Sequence, residues 1–222
     1  MSLIDPVSVP QLAERLPHAP GRLTHFLAAE PLLGNAALAV AARMMPAQDV
    51  VCHACSAPEA VGAATPDIAD MIATGGPASG TIVLTSIARL SAYRKLIDRV
   101  MAELAPVITR GTGSACEIDA HAVLSAPGAP TPFHFDAEYS LLFQIAGDKV
   151  FCAYPPAPPF LELHQREANP DSRKNRLQWH PEFAASGEQH LLSPGDALFV
   201  PYAAPHWVRA AAGRAARELG LV

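Results

Sequence analysis

A chain of 222 residues, half of them apolar and 17% charged, has the material for one folded domain, with or without a helical extension, and is not a disordered polymer. Its net charge of −5 excludes nucleic acid as a bulk electrostatic partner, because binding a phosphate backbone requires a basic stripe. Basic proteins, histone-like or ribosomal, stay compatible with that charge.

The N-terminus lacks the basic, apolar and cleavage-site order of a signal peptide. The longest apolar stretch, residues 36–42, is too short for a bilayer, so a cytoplasmic protein without membrane contact is expected. In a reducing compartment Cys52, Cys55, Cys116 and Cys152 are expected as free thiols. Cys52-His-Ala-Cys55 has the spacing of zinc and redox sites, but no second ligand pair follows it.

The first hundred residues read helical. Residues 11–16 form a short amphipathic helix stopped by Pro17, and residues 36–45 an Ala-rich buried one. Between 87 and 104, Leu90, Tyr93, Leu96, Ile97, Val100, Met101 and Leu104 recur at three and four, the mark of an amphipathic helix that Pro106 should end. After Thr112 short apolar stretches alternate with turn residues, and residues 127–132 form a Pro-rich loop. Residues 138–145 and 149–154 read as a β-hairpin turning at Ala146-Gly147-Asp148. A long Pro-rich excursion covers 155–188, with one helical turn near Pro181. Two strands around Ser193-Pro-Gly-Asp196 then lead to His206. A helical front followed by short strands predicts an α+β chain, helical over 1–110 and all-β over 111–222.

The chemistry is concentrated in Thr131-Pro-Phe-His134-Phe-Asp136. Residues two apart on a strand share a face, so His134 and Asp136 aim an imidazole and a carboxylate at one point. His206, in Pro205-His206-Trp207, offers the third metal ligand. Two imidazoles and one carboxylate on one side of Fe(II) leave positions for a bidentate keto acid and for O₂. By the parity of the expected hairpin, Lys149 shares the face of His134 and Asp136. A lysine buried there needs an anion.

Taken together, Thr-Pro-x-His-x-Asp, Gln144-Ile-x-Gly147-x-Lys149, Pro-Gly-Asp and Pro-His-Trp resemble the JmjC-type, cupin-like branch of the Fe(II)/2-oxoglutarate oxygenases. The resemblance is strongest over residues 125–209. It implies a double-stranded β-helix (a cupin or jelly-roll barrel) with a helical N-terminal part, and an oxygen-dependent hydroxylase of a protein side chain or a small molecule. It implies Fe(II) on His134, Asp136 and His206, and 2-oxoglutarate held by Thr131, Ser140 and Lys149. Homodimers built through helices are common in such proteins. One segment departs from the family pattern: residues 209–222 favour helix by composition, so the last barrel strand is expected to be missing or altered.

Two other functions fit less of this pattern. One is a non-catalytic cupin-like module that holds Zn(II) or Ni(II). The other is a cupin isomerase or dioxygenase without a keto acid, which usually presents more histidines. Outside the motif, His164, Gln165 and Arg166 read as a solvated loop or a substrate rim, and His180 and His190 as surface residues. Trp207 reads as core packing beside the metal, and the helix over 87–104 as packed on the barrel.

Overall fold

A computed structural model of the chain describes residues 2–56, 67–113, 117–166 and 175–222. In chain order its elements are α1 (Val9–Arg15), β1 (Gly21–Thr24), α2 (Asn35–Met44), β2 (Val50–Ser56), α3 (Ile68–Ala73), β3 (Ser79–Leu84) and α4 (Ser91–Thr112). Eight strands follow: β4 (Ala120–Ser125), β5 (Pro130–His134), β6 (Ser140–Ala146), β7 (Lys149–Ala153), β8 (Glu188–Leu192), β9 (Asp196–Val200), β10 (His206–Ala210) and β11 (Ala216–Leu221).

These strands form two antiparallel sheets, ordered β1-β9-β6-β11-β4-β3-β2 and β5-β10-β7-β8. Within them β4-β11-β6-β9 opposes β5-β10-β7-β8, the strand order of a double-stranded β-helix. One part of the interior between the sheets is apolar. Phe151, Ala153 and Leu192 from the smaller sheet meet Leu198 and Val200 from the larger. The helices cover the other face of the larger sheet, where Leu12, Leu38, Ile72, Leu96, Val100 and Leu104 pack against Leu141, Phe143 and Phe199. Each such side chain, fully buried, contributes about 1.5–3 kcal/mol.

Several expectations change. The front half is not all helix: β1 pairs with β9, and β2 and β3 widen the larger sheet beyond β4. Pro106 lies inside α4 and does not end it. It forfeits one backbone bond, but Val107 and Ile108 beyond it continue the buried face. On α2 one face is buried, while Val40 and Met44 stay exposed.

The hairpin expected across Ala146-Gly147-Asp148 does not form. Strand β6 pairs with β9 and β11, whereas β7 pairs with β10 and β8, so the chain crosses there from one sheet to the other. Gly147 makes the corner with φ +64°, and a Cβ at that position would meet the backbone of Ala215 and Ala216.

The largest correction concerns the tail. Residues 216–221 are β11, a central strand paired with β4 on one side and β6 on the other. Leu219 and Leu221 are buried against the helical layer, and two neighbouring ladders outweigh the helical preference of Ala, Arg, Glu and Leu.

Cys52 and Cys55 are joined in a disulfide, against the expected free thiols. Ala54, at φ 52°, turns the strand between them and brings their Cα atoms to 5.8 Å. Cys152 is a buried free thiol, and Cys116 lies outside the described residues.

Candidate metal centre

His134 ends β5 and His206 begins β10, and the two are opposite each other in the antiparallel register. That pairing sets their rings side by side, with centroids 4.2 Å apart. Asp136 does not extend the strand as expected. It lies just past the end of β5, where its backbone carbonyl accepts a hydrogen bond from Ala203 N–H at 3.0 Å. Its carboxylate still reaches the same point, with Oδ1 3.9 Å from His134 Nε2 and Oδ2 3.6 Å from His206 Nε2. One ligand atom from each of the three residues lies within 4.8 Å of the others.

Both imidazoles are oriented from behind. His134 Nδ1 donates to the Pro132 carbonyl at 2.7 Å, and His206 Nδ1 to the Ala204 carbonyl at 2.9 Å. A carbonyl only accepts, so each Nδ1 carries a proton and each Nε2 is turned toward Asp136. Burial, and next the neighbouring His134, push the His206 pKa down to about 4; Asp136 opposes the shift. His206 is therefore neutral at physiological pH, the form a metal requires. Burial also raises the Glu138 carboxyl, with the charges of Asp136 and Asp119 adding to it. Two nitrogens and one carboxylate oxygen, pre-oriented and partly desolvated, suit a first-row divalent ion such as Fe(II).

The triad opens on a cavity of about 640 Å³ that also meets Thr131 on β5, Ser140 at the start of β6 and Glu218 on β11. Lys149 faces the barrel interior, as the parity argument expected, although through a different strand pairing. It is 2% exposed and forms an ion pair with Glu218 Oε1 at 3.0 Å. Glu218 lines the cavity and Lys149 does not.

Glu218 was missed because its segment reads as helix. The available signal was the short alternation of Leu219 and Leu221 with Glu218 and Gly220. His53 and Arg176 also line the cavity without a motif to flag them. Trp207 packs on the outer side of the smaller sheet with Phe133 and Tyr154. His190, expected at the surface, is 6% exposed on β8, and burial lowers its pKa. On the helical turn Leu163–Arg166, His164 is exposed and Gln165 half-buried, and neither lines the cavity.

No family model matches the chain. Among solved structures it is similar to the ribosomal oxygenase YcfD of Escherichia coli, at 18% identity and a TM-score of 0.59, over 99% of this chain and 52% of that one. A second structure of E. coli ycfD gives 18% and 0.58 over 96% and 51%. A third gives 14% and 0.57 over 100% and 53%. The chain thus spans about half the length of the structures it matches. At these identities the likeness concerns the fold alone: an α+β chain whose antiparallel sheets pack as in those structures.

Proposed function

We propose that this chain is an Fe(II)- and 2-oxoglutarate-dependent oxygenase that hydroxylates a protein side chain or a small molecule. The observation that carries the reading is the triad. His134, Asp136 and His206 converge on one point, with both histidine Nδ1 protons already committed to backbone carbonyls.

His134, Asp136 and His206 would hold the iron, and bound iron supplies the activation of O₂ and of the keto acid. The chain's own residues would do the rest. Asp136 offsets part of the metal's charge. Thr131 and Ser140, at the cavity wall, offer hydroxyls to a bound carboxylate. Leu142, Phe151, Val200 and Val208 line the same cavity and keep water from the reacting centre. Lys149 is the cation for the distal carboxylate, reached once Glu218 gives way.

For substrate, a basic protein is the better-supported class. The net charge of −5 favours it, and the fold is that of a protein described as a ribosomal oxygenase. Fold likeness alone does not name a substrate.

A metal-holding, non-catalytic module is the second reading, favoured by one observation: Glu218 already neutralises Lys149. Anaerobic addition of Fe(II) and then 2-oxoglutarate separates the two. The visible charge-transfer band of a chelated 2-oxo acid is expected in the parent and lost in Asp136→Ala. Bound metal without a band would leave only the binding module.

A further inference from the structure

The cavity wall contains a carboxylate where a dicarboxylate ligand needs a free cation. Lys149 opens β7, opposite Ala210 of β10 and Leu192 of β8. Glu218 sits on β11, opposite Gln144 of β6 and Val123 of β4. Their ion pair therefore crosses the barrel from the smaller sheet to the larger. Lys149 is buried, and the Glu218 side chain, 11% exposed, stands on the cavity side of the pair.

Gln144 does not replace Lys149 as a donor to Glu218. Its Nε2 already donates to the carbonyls of Ala146 and Gly147, both at 2.9 Å. A buried ammonium has three donors but one charge, and Glu218 balances it. A ligand bringing a second carboxylate adds a third charge to a desolvated pair. Either Glu218 withdraws or the ligand is bound weakly.

We propose that Glu218 is the specificity-determining residue of the keto-acid pocket: it competes with the ligand's distal carboxylate for Lys149, and so weakens binding of a dicarboxylate relative to a 2-oxo monocarboxylate of equal length. The proposal rests on the oxygenase reading, since it concerns the same pocket. It concerns how the ligand is selected, which the triad alone does not determine.

The test compares two ligands that differ only at the far end, 2-oxoglutarate and 2-oxopentanoate. Each is titrated anaerobically into the Fe(II)-loaded full chain and followed by the charge-transfer band. In the parent the two should bind within about threefold of each other, because the site's cation is already neutralised. Glu218→Gln keeps the shape and removes the charge. It should raise the preference for 2-oxoglutarate by at least about tenfold while leaving 2-oxopentanoate unchanged.

A second variant guards against misfolding. Lys149→Met combined with Glu218→Leu replaces the pair by an apolar contact, an exchange that is often neutral or stabilising for a buried ion pair. It should retain iron as the parent does, the triad being untouched, and gain no preference for 2-oxoglutarate over 2-oxopentanoate. Binding of both ligands with an unchanged ratio in Glu218→Gln overturns the role of Glu218 and leaves the oxygenase reading standing. Binding of neither ligand by any variant, with iron retained, overturns both.

Discussion

Phe151 lies almost flat against His206, with ring centroids 4.7 Å apart and an interplanar angle of 20°. The contact ties the buried core of the barrel to one side chain of the candidate metal triad, so packing limits the freedom of this ring. Phe151→Ala is expected to cost about 3–5 kcal/mol of stability and to weaken metal binding as His206 gains freedom. Phe151→Leu should recover most of the stability and less of the affinity. Urea unfolding and a metal titration on the same samples measure the two effects separately.

Strand β11 provides the next prediction. Leu219 is fully buried between the sheet and the helical layer. Leu219→Ala should destabilise the chain by about 2–5 kcal/mol, a core penalty that a frayed helical tail would not produce. A change below about 0.5 kcal/mol in chemical denaturation would contradict the central placement of the strand.

His25 makes stability depend on pH. Its Nδ1 accepts from Leu27 N–H at 3.0 Å and its Nε2 faces the Asp196 carbonyl at 3.1 Å, so the neutral ring satisfies both bonds. Burial lowers its pKa from 6.5 to about 4. Above pH 6.5 the contribution is fully present. As pH falls from 6.5 toward 4, the unfolded chain takes up a proton that the folded ring refuses, and stability is lost. The loss attributable to this ring is about 3 kcal/mol. His25→Gln should flatten the stability curve between pH 6.5 and 4, measured by denaturant midpoints across that range.

The chain's two tryptophans report one phenol. Trp179 Nε1 and Trp207 Nε1 each donate to Tyr154 Oη at 3.3 Å. Tyr154→Phe leaves both indole N–H groups without that acceptor and should cost about 1–2 kcal/mol. Intrinsic fluorescence should shift in the same variant, because both fluorophores lose the same partner. An unchanged spectrum would argue against the shared bond.

The convergence of His134, Asp136 and His206 could be read because their types and spacing point to one candidate metal site without knowledge of the sheets. Lys149 lies on the expected face through a strand pairing other than the expected one. The period of two survives the exchange of an assumed hairpin for a crossover, since the inner faces of both sheets look into one barrel. Glu218 was not legible, because local propensity in an Ala- and Arg-rich segment points to helix and only the β4 and β6 ladders reverse it. The same tertiary override hid β2 and β3. Val50-Val51 and Thr81-Ile82-Val83 are β-branched runs that a helical front half absorbed.

The place of β11 between β4 and β6 has a consequence for biosynthesis. Its two neighbours leave the ribosome long before it does, and they cannot satisfy each other. Until residues 216–221 arrive, the nascent chain carries two open ladder edges and an unsealed apolar interior. Closure of the barrel is therefore a late event set by contacts far apart in sequence, a topology that folds slowly. During that interval the chain depends on whatever keeps such edges from pairing with strangers.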